Sequence, residues 1–260
     1  MKHLLNQNIL KAEMKKVLYS IPLLLLYTFY LILLIFTYKG TALSMKNYYI
    51  KSPYASGMLL SCNLFGSVVV VIFSSLMCYK DYNANMLFIY SMILKRKTFL
   101  FAKQILIFCF SLFCSVTSLF LGLIFDISIK ADMLGIGLLI IQLFSIVFIE
   151  FLYGILAFTI QLLTRNLAFS IIFPVVMIFF ESIVHIYAKK VLLIKGLIMF
   201  NVFGLLQETF QNLGPGSIMI VPDNPYYNSS LTSFFILLLY ITILVIFQFL
   251  YVQSEKFTSK

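Results

Sequence analysis

Long apolar stretches separated by short polar ones make up most of this chain. A helix crossing about 30 Å of hydrocarbon needs about 20 mostly apolar residues. Six stretches meet that length: Val17–Thr37, Gly57–Cys78, Phe99–Phe125, Leu134–Leu163, Leu167–Tyr187 and Leu231–Val252. None alternates apolar and polar residues as the strands of a membrane barrel do. Their backbone groups must therefore be satisfied within each helix. The pattern predicts an all-α polytopic membrane protein with six transmembrane helices, forming a single domain over residues 1–260. Pro22 and Pro174 are expected to start or kink helices in the first and fifth spans.

The segments between the spans carry their own patterns. In residues 2–16, His3, Gln7, Lys11 and Lys15 repeat every four residues and make a polar stripe, while Leu5, Ile9, Leu10 and Met14 supply apolar faces. This predicts an amphipathic N-terminal helix lying in the membrane interface. Between the second and third spans, Tyr79 to Thr98 opens with Lys80-Asp81-Tyr82-Asn83 and closes with Lys95-Arg96-Lys97-Thr98. The interior, Ala84 to Leu94, is too apolar for a free loop and too short to span. It is expected to form a short inner helix, capped at its start by Asp81 or Asn83. Between the fifth and sixth spans, Val191–Phe210 is apolar but interrupted by Lys195, Gly196, Asn201 and Gly204. A seventh crossing there would place the C-terminal tail on the wrong side, so re-entrant helices in the outer leaflet are expected.

Composition narrows the class. Of 260 residues, 62% are hydrophobic and 11% charged, and the mean hydropathy is +1.03. Soluble domains hold roughly 45–50% apolar and about 25% charged residues. A water-soluble fold and a disordered chain are both excluded. The net charge is +10. With the N-terminus inside, twelve Lys and Arg fall on inner segments and seven on outer loops. That bias orients both termini toward the cytoplasm, in the cell membrane. The inner basic residues then grip anionic lipid headgroups. They are spread over four segments, which argues against nucleic acid as a partner.

Candidate chemistry is sparse. The four cysteines (Cys62, Cys78, Cys109 and Cys114) lie in apolar runs, and no pair has the spacing of a redox or zinc motif. They read as small core residues. The only histidines are His3 and His185, too few for a metal site or an intramembrane hydrolase. No G-x-x-x-x-G-K-[ST] loop is present, so the chain holds no nucleotide cofactor of its own. Three groups stand out inside the spans: Glu150 near the middle of the fourth, and Glu181 with His185 four residues on, in the fifth. Ionisable groups at such depth face a bundle interior or a wet cavity. They are candidates for lining a pathway, or for pairing with a Gln, Tyr or Lys on a neighbouring helix.

The order of elements resembles that of a type-2 ABC transporter permease, the membrane subunit of an exporter. Those proteins show an amphipathic N-terminus, an acidic residue after the second span, a short inner helix, a basic cluster, a lysine at the head of the third span and a long outer loop before the last. Here Asp81 takes the acidic place, Asn85-Met86-Leu87 the helix, Lys95-Arg96-Lys97-Thr98 the basic cluster and Ala102-Lys103 the last. Asp stands where the family has Glu, and the family's Gly and Pro are absent. Length and composition also resemble permeases of bacterial bacteriocin-immunity and amphipathic-peptide exporters. The resemblance implies a non-enzymatic transport subunit that pairs with a second permease chain, identical or related. It implies a separate cytosolic ABC ATPase dimer that carries ATP and Mg. It further implies that Asp81, Asn85, Met86, Leu87, Lys95, Arg96 and Lys103 couple the spans to that ATPase. The contrasting expectation is an ion- or proton-coupled secondary transporter built on Glu150 and Glu181.

Overall fold

A computed structural model describes residues 11–17, 19–44, 51–83, 96–187, 195–213 and 227–253. Among the described residues all regular structure is helical. In chain order the helices are α1 (Lys11–Val17), α2 (Ile21–Ser44), α3 (Pro53–Asn83), α4 (Arg96–Ser128), α5 (Ile136–Thr164), α6 (Leu167–Tyr187), α7 (Ile198–Thr209) and α8 (Ser230–Gln253). A 3-10 turn, Gln211–Leu213, follows α7.

Four of these helices are long and apolar enough to cross a membrane: α3, α4, α5 and α8. The bent pair α1 and α2, which meet at 63°, qualifies as a fifth when taken together. The apolar part of α6 given by its described side chains, Leu167–Phe180, is shorter. The expectation of six spans is thus met for four or five. Each of the other expected spans nevertheless coincides with one helix, whereas the first, Val17–Thr37, begins in α1 and crosses the bend into α2.

The burial pattern is inverted relative to a soluble protein. Leu24, Phe29 and Phe36 on α2, Phe120 on α4, Phe144 on α5, Phe180 on α6 and Leu239 on α8 are all exposed. Serines 67, 74, 75, 111, 115 and 118 and glutamines 104, 142, 161 and 248 are buried. An apolar exterior of this extent belongs in lipid, where interhelical contacts rely on small residues and polar links. α3 is the hub. It packs against α2, α4, α5 and α6, and 61% of its most apolar window is buried, against 22% for α8.

Glycines set the closest approaches. A Cβ on Gly122 of α4 would lie 2.5 Å from the Ala55 Cα of α3. One on Gly154 of α5 would lie 2.5 Å from Ile107 and 2.8 Å from Val70. α4 and α3 therefore meet nearly backbone to backbone at Gly122, while Gly154 makes room on α5 for the Ile107 and Val70 side chains. At the N-terminal end of α3 Asp126, fully buried, accepts the backbone N–H groups of Tyr54 and Ala55, both at 2.9 Å. This carboxylate caps α3, whose first N–H groups have no partner within the helix. At the α5–α6 turn Arg165 is left-handed (φ 54°), and Asn166 Oδ1 accepts the Phe169 N–H as the cap of α6.

One expectation is corrected and two gain detail. Asp81 does not cap a separate inner helix, because α3 continues unbroken through Asn83. The described part of the N-terminal helix turns Glu13 inward, at 1% exposure, and leaves Met14 exposed at 47%. In a lipid environment the apolar residue faces out and the paired acid faces in. Among the described residues, the segment between α6 and α8 holds α7 and the 3-10 turn after it, mostly buried against α8, α5 and α6. The predicted inner helix, with Asn85, Met86, Leu87 and Lys95, lies outside the described residues.

Candidate functional site

α1, the C-terminal end of α3 and the N-terminal part of α4 converge on an ion cluster. Lys103, about two turns into α4 and 1% exposed, extends between two carboxylates. Its ammonium lies 2.5 Å from Glu13 Oε2 on α1 and contacts Asp81 Oδ2 in the last turn of α3. Lys16, a turn along from Glu13, closes the group from the more exposed side. It lies 2.7 Å from Glu13 Oε1 and 3.4 Å from Asp81 Oδ1. The Phe99 ring stands 5.3 Å from the Lys103 ammonium. Next to the cluster, Lys80 donates to Ser20 in the break between α1 and α2.

The electrostatics explain why the group holds together. Asp81 sits at the C-terminal end of a helix, where the macrodipole disfavours an anion. Two carboxylates and two ammoniums cancel, so no net charge is buried. A buried ion pair adds little beyond a well-packed apolar contact, but removing one partner strands the other. The cluster therefore fixes which elements meet. It ties α1 and the α1–α2 bend to the hub helix and to α4.

A second polar group lies halfway along α5. Glu150 is fully buried, about 20 Å from either end of its helix at 1.5 Å per residue. Its Oε1 accepts from Cys62 Sγ of α3 at 2.9 Å, and its Oε2 from Ser115 Oγ of α4 at 2.9 Å. The Tyr30 hydroxyl of α2 stands 2.7 Å from Cys62 Sγ and 2.5 Å from Ser118 Oγ, and donates to the Cys114 carbonyl at 3.1 Å. Gly66 leaves the space: a Cβ there would lie 2.0 Å from Glu150 Oε1. Four helices thus share one carboxylate through hydroxyls and a thiol. Gln248 of α8 makes a third link, donating to Thr159 Oγ1 at 2.7 Å and accepting from Gln104 at 2.8 Å.

Of the residues singled out in the sequence, Asp81 and Lys103 are brought into direct contact. Arg96 opens α4, and Glu181 and His185 lie on α6, with side chains outside the described set. Glu150 stands apart, in its own enclosed network. Sequence reasoning passed over Glu13, although it is the only acidic residue before Asp81 and stands among Lys11, Lys15 and Lys16. It also passed over Asp126, whose position at the outer end of a span was the available signal. Among the described residues no group of His, Cys, Asp and Glu has the makings of a metal site. Comparison with family models, with curated proteins and with solved structures finds no match for this chain.

Proposed function

We propose that this chain is the membrane-spanning permease subunit of an ATP-binding-cassette exporter for an apolar or amphipathic substrate. In this reading α2 to α6 and α8 make six crossings, both termini are cytoplasmic, and a second permease chain completes the pathway. The ATPase is a separate cytosolic dimer. The observation that supports the reading best is the Glu13–Lys103–Asp81–Lys16 cluster. A push delivered to the segment between α3 and α4 needs a stiff connection into the spans. The cluster stiffens the two helix ends that flank that segment, together with the amphipathic helix beside them. Transmission would then be rigid-body, between two discrete states.

The test is association and transport in the same preparation. Full-length protein expressed with its candidate ATPase should retain that ATPase on purification and export substrate with ATP. Met86→Asp should abolish association while leaving the unfolding temperature of the permease unchanged. Undiminished association of the variant defeats the coupling assignment. The ion- or proton-coupled alternative draws its support from Glu150, a carboxylate buried at mid-span. Export that survives collapse of the pH gradient while ATP is present rejects that alternative; export that stops with the gradient rejects the exporter.

A further inference from the structure

A groove of about 680 Å³ opens between α4, α5, α7 and α8. Phe108, Phe144, Phe148, Phe151 and Phe234 line it, and Phe148 and Phe234 stack at 4.8 Å. Its extent along α5, from Ile140 to Phe151, is about 16 Å at 1.5 Å per residue. That is the length of an extended dodecyl chain. At the end formed by α7 stands Glu208, the one charged residue among the described residues of the lining, with its side chain exposed. Among the described residues it makes no ion pair. The Ser145 and Thr209 hydroxyls of the lining are turned back onto the Ile141 and Leu205 carbonyls at 2.9 Å. Glu150 does not border the groove.

We propose that this groove binds a single-chain amphiphile with a cationic, ammonium-type head. The chain lies against the phenylalanines and the head meets the Glu208 carboxylate. The chain as a whole carries +10, so a lone carboxylate at the mouth of an aromatic groove is a local reversal of sign. An ordinary acyl tail accounts for the phenylalanines but gains nothing from the acid, and an anionic lipid is repelled by it. A cation gains twice, from the carboxylate and from neighbouring ring faces. As a statement about cargo this rests on the export reading. The binding itself needs neither ATP nor the ATPase, so the two can fail separately.

The chain contains no tryptophan, which makes an introduced one a clean reporter. Phe144→Trp places it in the groove, and Phe120→Trp places it on the exposed face of α4 as a control. Each full-length variant, in phosphatidylcholine nanodiscs, is titrated with a bromine-tailed dodecyltrimethylammonium and with the sulfate of the same tail. The groove tryptophan should be quenched saturably by the cation at a concentration about fivefold below that needed at the control position. The sulfate should show no such difference, and Glu208→Gln should remove the cation's preference. Equal quenching at both positions marks a lipid-filled crevice and overturns the proposal. So does a preference that survives Glu208→Gln. A groove tryptophan that neither amphiphile quenches means that another chain covers the face, which overturns it as well.

Discussion

Replacing Lys103 by Met removes the central cation of the Glu13–Lys103–Asp81–Lys16 cluster and leaves a side chain of similar length. Glu13 and Asp81, 1% and 3% exposed, then lose the ammonium they share and keep their contacts with Lys16. The group passes from neutral to one net negative charge. Breaking a buried pair by removing one partner costs about 3–5 kcal/mol. Lys16 is 37% exposed and can shift toward the stranded carboxylates, which argues for about 3 kcal/mol. At about 2–4 °C per kcal/mol for a chain of this size, the unfolding temperature should fall by about 6–12 °C. Glu13→Gln leaves an extra cation that Lys16 can carry into solvent, and should cost about 1–2 kcal/mol. The double variant keeps the Asp81–Lys16 pair with no stranded carboxylate from α1. It should be less damaged than the sum of the two singles, by at least about 1 kcal/mol. Heating the detergent-purified proteins while a maleimide dye reports exposure of the buried thiols measures all three. A Lys103→Met variant within about 2 °C of the parent, or strictly additive single effects, would refute the claim that this cluster holds α1, α3 and α4 together.

Three further outcomes follow from the geometry. Gly66→Ala drives a methyl into Glu150 Oε1 and should destabilise by about 1–3 kcal/mol, whereas the same change at Gly137, where a Cβ meets nothing within 4 Å, should leave the melting midpoint in place. Asp126→Asn puts an amide donor against the Tyr54 and Ala55 N–H groups; a loss of about 1–2 kcal/mol is expected, read by the same thermal assay. Cys109 is exposed while Cys62, Cys78 and Cys114 are buried. Cys109 lies on the lipid side near the middle of α4, so a small apolar maleimide in detergent should label at most this one thiol in the folded protein and none in Cys109→Ser, counted by intact mass, with the buried thiols reacting only after unfolding.

The helices were legible because a 20-residue apolar run has few other fates, and the ends of α6 and α8 fall within a residue of those expected. The break after the second span was misplaced because Tyr79-Lys80-Asp81-Tyr82-Asn83 looks like a loop when charge is read along the chain. In three dimensions those charges have partners, so α3 continues through them. The same blindness to partners hid Glu13. Helical periodicity sorts residues by polarity and assigns the polar face to water, but here the acid is turned inward toward Lys103. Asp81 and Lys103 were visible as a pair only through their order in the chain. The Glu150 network could not be read at all, since its Cys62, Ser115 and Tyr30 neighbours sit 35 to 120 positions away on three other helices.

α3 is pinned to α4 twice, by the Asp126 carboxylate at one extremity and by Lys103 at the other. Two rods riveted at both ends cannot slide or splay; they can only swing together. Their common length is about 46 Å for the 31 residues of α3. A swing of about 10° pivoting at one extremity carries the other through about 8 Å. Whatever displaces the Lys103 end is thus carried to the Asp126 end, and the bonds that must give way lie between this girder and its other neighbours.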